Sequence, residues 1–143
     1  DYWKKTIRNK EEDAWLLAPG DMPVEAGLRK GELVLVLVRG GKNWATDDEC
    51  SLLQKYKGRR MQEFDNTRMK AVLVGNYFSA VAAKERQSPF SATQIEETQK
   101  DGNGLLTTWE LFRAVKAEKE GRISKDALRE QLKLKTGLVA FEI

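Results

Sequence analysis

The run ELVLVLVRGG, residues 32–41, constrains this chain more than any other stretch. Its six consecutive Leu and Val residues leave neither face of an extended segment polar, and paired glycines stop it. A strand of this kind belongs in the middle of a sheet covered on both faces. Alternation sends Leu33, Leu35, Leu37 and Arg39 to one face and Val34, Val36 and Val38 to the other.

The segments around it supply the rest of such a sheet. DAWLLA (13–18) is a short apolar run ending at Pro19 and Gly20, a strand followed by a loop. Thr46 and Glu49 have the spacing of a capping box, opening a helix to about Phe64 with Cys50, Leu53, Tyr56, Met61 and Phe64 facing inward. MKAVLV (69–74) predicts another strand, ended by Gly75 and Asn76. Ser91 and Gln94 form a second capping box for a short helix, and GLLTT (104–108) a further strand. Thr107 and Glu110 predict a third box, with Leu111, Phe112 and Val115 as the apolar face of its helix and Gly121 at its end. Ser124 caps a last helix carrying Leu128 and Leu132. Strands alternating with helices, without internal repeats, make an α/β layered domain.

With 143 residues the chain suffices for one domain with a real core, so 1–143 is expected to be a single domain. It starts with Asp, and residues 1–12 have the charge and spacing of a helix or arm, as in a segment of a longer polypeptide with neighbouring domains. No uncharged apolar run is long enough to span a membrane, and no signal-peptide pattern opens the chain. The single cysteine, Cys50, leaves no internal disulfide and favours a cytoplasmic setting. Histidine is absent, which excludes imidazole acid–base catalysis, Ser-His-Asp or Cys-His nucleophiles and ordinary zinc sites.

Residues 99–110 match a calcium loop in part, with Asp101, Asn103, the turn glycine Gly104, Leu106 and a closing Glu110. The first position is the neutral Gln99, no second loop accompanies it, and a strand rather than a helix is expected after the turn. A glycine turn leading into a buried strand accounts for the same residues.

The order of elements and three phrases, EEDAWLL (11–17), LVLVRGGKN (35–43) followed by a helix, and LLTTWELFRAVKAEKEGRISKDALRE (105–130), resemble the restriction-endonuclease-like PD-(D/E)XK nuclease superfamily. The resemblance spans residues 11–139 and implies a restriction-endonuclease-like α/β fold, a central mixed β-sheet flanked by α-helices. In that family an Asp near the start of one strand and an E-x-K on the next hold magnesium, which lowers the pKa of the attacking water and neutralises charge on the phosphate. Asp13 matches the Asp, while Leu37-x-Arg39 replaces E-x-K.

This replacement sets the functional expectation. Arg39 can clamp a phosphate but stays protonated and cannot act as a base. The expected role is therefore a nucleic-acid-associated domain with a degenerate site, contacting phosphates through Arg39, Lys42 and the following basic helix with Lys55 and Arg59. No cofactor is then needed. The alternatives are an active magnesium nuclease in which Asp13 works with Glu11, Glu12 or Glu25, and a structural or homo-oligomerisation domain. Trp44 is expected to pack against the helix that follows it, and Trp109 to lie in the core.

Overall fold

The computed structural model of the chain describes residues 5–9, 14–18 and 31–143. Six strands form one sheet in chain order. β1 (Lys5–Asn9), β2 (Ala14–Ala18) and β3 (Leu33–Gly40) are antiparallel neighbours, with Ile7 opposite Leu16 and Leu16 opposite Leu35. From β3 onward the sheet is parallel, aligning Leu37 with Leu73 of β4 (Met69–Asn76), Leu73 with Leu105 of β5 (Gly104–Thr107), and Leu105 with Leu138 of β6 (Gly137–Leu138).

Parallel neighbours need crossovers. Helix α1 (Asp47–Phe64) joins β3 to β4, a 3₁₀ turn (Ala83–Glu85) and α2 (Ala92–Lys100) lead to β5, and α3 (Thr108–Lys119) and α4 (Lys125–Leu134) lead to β6. The α/β class with a mixed sheet flanked by helices is as expected. Residues 5–9 form an edge strand instead of a helix or arm. Thr6 and Ile7 are β-branched, and β2 offers an open ladder for them to pair with.

The alternation in β3 separates two cores. Leu33, Leu35 and Leu37 pack with Ala71, Leu73 and Leu105 under Leu53 of α1 and Ile95 of α2. Val34 packs on the opposite face with Val72, Val74 and Leu106 under Ala114 of α3 and Leu128 and Leu132 of α4. Each fully buried Leu or Val contributes roughly 1.5–3 kcal/mol relative to leaving it in water, so the sheet register is fixed by both faces at once.

Capping is local and partly as expected. Thr46 Oγ1 accepts from the Glu49 amide at 3.1 Å while Glu49 Oε1 accepts from the Thr46 amide at 3.2 Å. Ser91 and Gln94 make the same reciprocal pair. At α3 only half forms: Thr107 Oγ1 accepts from the Glu110 amide, and Glu110 Oε2 turns away to accept from the Phe141 amide at 2.8 Å.

Helix α3 also rests on the sheet through a different face from the one its large residues predict. Ala114 and Ala117 are buried, while Leu111, Phe112 and Val115 are 39%, 52% and 44% exposed. Two small residues let the helix approach the sheet closely, and that rotates the bulky apolar side chains outward.

Candidate functional site

The parallel strands finish at a common edge, with Gly40 aligned to Asn76 and Gly75 to Thr107. In open α/β sheets this carboxyl edge is where ligands bind. Over β3 and β4 it is closed by two loops tied together. The Gly41 amide donates to Asn76 O at 3.1 Å and the Ser79 amide to Gly41 O at 3.0 Å. Trp44 sets its ring edge-on to Phe78, 5.0 Å between centroids. Contrary to the expectation of burial, Trp44 is 53% exposed, because it packs on this loop pair and leaves the helix uncovered.

Beside that closure, over β4, β5 and β6, the edge opens into a cavity of about 230 Å³. Arg86 forms part of its wall and is fixed by the strand ends. Its Nε donates to Val81 O at 2.8 Å, and one Nη donates to Asn76 Oδ1 at 2.7 Å and to Thr108 Oγ1 at 3.4 Å. Thr108 Oγ1 donates in turn to Asn76 Oδ1 at 3.3 Å. Asn76 is the last residue of β4 and Thr108 the first of α3, so the guanidinium is held by the ends of two main elements.

No local pattern in the sequence marks this trio, because Asn76 and Thr108 lie 10 and 22 residues from Arg86. The available signal was the polar residues at the ends of β4 and β5, Asn76 and then Thr107 with Thr108, at the positions where an α/β sheet places ligand contacts.

Tyr77 also borders the cavity, and its ring fills the space a Cβ on Gly75 would need. Its hydroxyl is buried without a hydrogen bond of good geometry. Burial pushes the phenol well above its ordinary pKa, the nearby Glu49 carboxylate adds to the rise, and Arg39 opposes it.

The residues expected to bind phosphate divide into two groups. Arg39, half-buried, donates to Val38 O at 2.8 Å at the carboxyl end of β3, and Lys42 is exposed on the adjoining loop. Lys55 and Arg59 are exposed on α1, where the Arg59 guanidinium sits 5.7 Å from the Tyr56 ring centre. At 1.5 Å per residue they stand roughly 12 and 18 Å along the helix from its start. They do not converge with Arg39 and Lys42.

Asp13 lies outside the described residues, as do Glu11, Glu12 and Glu25. Ala14, which opens β2, pairs with Leu37. The start of β2 therefore runs alongside the carboxyl half of β3. Magnesium needs oxygen donors there, and Leu37 is a core side chain with 0% exposure. Among the described residues no three His, Cys, Asp or Glu side chains are grouped to hold a metal ion.

The calcium-like turn has its own cation. Lys57 of α1, buried, donates through Nζ to Asp101 O and Asn103 Oδ1, both at 2.8 Å. Asn103 Oδ1 also accepts from the Ala71 amide, and Asn103 Nδ2 donates to Gln54 Oε1. Glu110 pairs with Arg113 at 2.5 Å.

Among the described residues no helix is long and apolar enough to cross a membrane. Comparison with protein-family models, with curated proteins and with solved structures finds no match for this chain.

Proposed function

We propose that this is a nucleic-acid-associated domain of the restriction-endonuclease-like kind whose cleavage site has been replaced by a phosphate-contacting edge. The observation carrying it is the register of Ala14 with Leu37. It brings the beginning of β2 against the stretch of β3 where a nuclease of this kind would place its carboxylate and lysine, and this chain has a core leucine followed by Arg39. A guanidinium at that point attracts a phosphate without generating a nucleophile. Lys42 on the adjoining loop adds a second cation at the same edge.

The test uses labelled single- and double-stranded DNA and RNA, with and without magnesium or manganese, across a salt series. The expected result is intact nucleic acid, with binding that weakens steeply as salt rises. Arg39→Gln combined with Lys42→Gln should flatten the log–log slope on duplex by about 1.8, near 0.9 per lost phosphate contact. Metal-dependent cutting that disappears in Asp13→Ala, or no binding at low salt, overturns the proposal.

The outward side of α3 favours self-assembly as a second role. Trp109 and Phe112 stack at 5.4 Å, and Phe112 continues into the exposed Leu111 and Val115. Isolated apolar residues on a surface are ordinary, but a contiguous group marks an interface. Sedimentation velocity over a concentration series separates the roles: a dimer abolished by Phe112→Glu supports assembly, and a monomer throughout removes it.

A further inference from the structure

Arg86 presents a problem of charge. It is half-buried in the cavity wall, and the groups it bonds among the described residues, the Val81 carbonyl, the Asn76 amide oxygen and the Thr108 hydroxyl, are neutral. A guanidinium in this position keeps its open side toward solvent, where the oxygens of an anion can take the place of water. Glu110, the acidic residue lining the cavity, has its carboxylate engaged by Arg113 and the Phe141 amide. The bonds from Nε and one Nη hold the guanidinium plane in place and leave the second Nη with two donors unassigned.

We infer that the cavity over β4, β5 and β6 is a binding site for a small organic oxyanion, a phosphate monoester or a carboxylate on a compact apolar body. Three observations converge on this. The guanidinium is oriented before any ligand arrives, so little further ordering is needed on binding. Tyr77, Trp109, Leu138 and Val139 make part of the remaining wall apolar and aromatic, suited to a ring or short chain, beside the polar Gln87 and Ser88. The volume of about 230 Å³ is below the usual range for drug-sized ligands, from about 300 Å³ upward. The cavity therefore matches one anionic group with one ring.

The ligand is distinct from the nucleic-acid backbone assigned to Arg39 and Lys42, and the inference does not rest on that assignment. Phosphate and carboxylate share the same demand, oxygen acceptors facing a fixed guanidinium, and the choice of probes separates them.

The experiment is a titration of the isotopically labelled full chain, followed by NMR at the Trp109 indole and the Thr108 and Trp109 amides. The probes are phenyl phosphate, benzoate, inorganic phosphate and neutral phenol. Saturable shifts at these signals with phenyl phosphate or benzoate are expected, at least tenfold weaker in Arg86→Gln, as for loss of a hydrogen bond to a charged group. Whichever anion binds more tightly names the class. Arg86 bridges two elements, so its replacement can perturb folding; Ala140→Leu, which fills the cavity from an exposed lining position, keeps the trio intact and should abolish the same shifts. Phenol binding as well as the anions, shifts unchanged in Ala140→Leu, or no saturation with any organic anion overturns the inference. A failure to bind nucleic acid leaves these signals unaffected, so the two proposals fail separately.

Discussion

The Lys57 ammonium stands 2.8 Å from Asn103 Oδ1, which places a lysine from α1 where the pattern of residues 99–110 invites a metal ion. A side-chain cation delivered from another element satisfies the same carbonyl and carboxamide oxygens that calcium would seek. Burial lowers the Lys57 pKa, and the neighbouring Asp101 carboxylate opposes that shift. The turn, α1 and β4 are thereby locked to one another, since Asn103 Oδ1 accepts from the Ala71 amide as well.

Replacing this cation should therefore destabilise the fold while leaving the chain indifferent to calcium. Lys57→Met removes two charge-assisted hydrogen bonds from a buried position and should cost about 1–3 kcal/mol. Urea denaturation measures it, and an unchanged midpoint would refute the structural role. Millimolar calcium should leave the wild-type melting temperature where it is; a rise that is retained in Lys57→Met would restore the calcium reading.

Lys70 gives a pH dependence of defined sign. Its side chain leaves β4 toward the end of α4, where Nζ donates to the carbonyls of Leu132 and Lys135, and burial lowers its pKa to about 8. The unfolded value is 10.5, so between about 8 and 10.5 the unfolded state binds more protons and stability rises with pH. Below that window the penalty for burying the charge is present in full. The stability difference between wild type and Lys70→Met, which cancels the other titrating groups, should shift in favour of the wild type by about 1 kcal/mol from pH 8 to 9 and be flat below pH 7. A flat difference across both ranges would mean that the carbonyls hold the ammonium charged despite its burial.

Cys50 should be a slow thiol. Burial raises its pKa to about 11, and the carboxylates of Asp47, Glu49 and Glu97 add to the rise. The thiolate is the reactive form, so Ellman's reagent at pH 8 should modify the native chain roughly tenfold to a hundredfold more slowly than a free thiol. Full speed should return in denaturant. Fast modification of the native chain would place Cys50 in a more open setting than the one between α1 and α2.

The sequence was most legible where side-chain patterning and local hydrogen bonds decide the outcome. The two-faced run of β3, its stop at Gly40, and the capping boxes at Thr46 and Ser91 all depend on residues within a few positions of each other, whereas β4 runs through Gly75 to Asn76. Helix α3 was misread because hydrophobicity ranks Leu111, Phe112 and Val115 above Ala114 and Ala117, whereas contact with a flat sheet selects for small side chains. The third capping box failed halfway because Phe141, a residue 31 positions away, competes for Glu110. The site was least legible for the same reason. Arg86 carries no local signature, and its meaning comes only from Asn76 and Thr108 meeting it at the sheet edge.

Gly40 links the stability of that edge to its cavity. A Cβ at Gly40 would stand 2.5 Å from Asn76 O, a backbone atom that cannot swing aside, whereas a Cβ at Gly41 would meet nothing within 4 Å. Gly40→Ala should then lose about 1–3 kcal/mol, as for overpacking in a close-packed region, and Gly41→Ala should stay within about 0.5 kcal/mol of wild type. Thermal denaturation of the pair tests this, with Gly41→Ala as the control for simply losing a glycine. The displaced Asn76 also carries the oxygen that orients Arg86. Gly40→Ala should therefore weaken phenyl phosphate binding at the Trp109 signal even at temperatures where the variant is fully folded. Loss of stability with unaltered anion binding would show that the strand end and the guanidinium move independently.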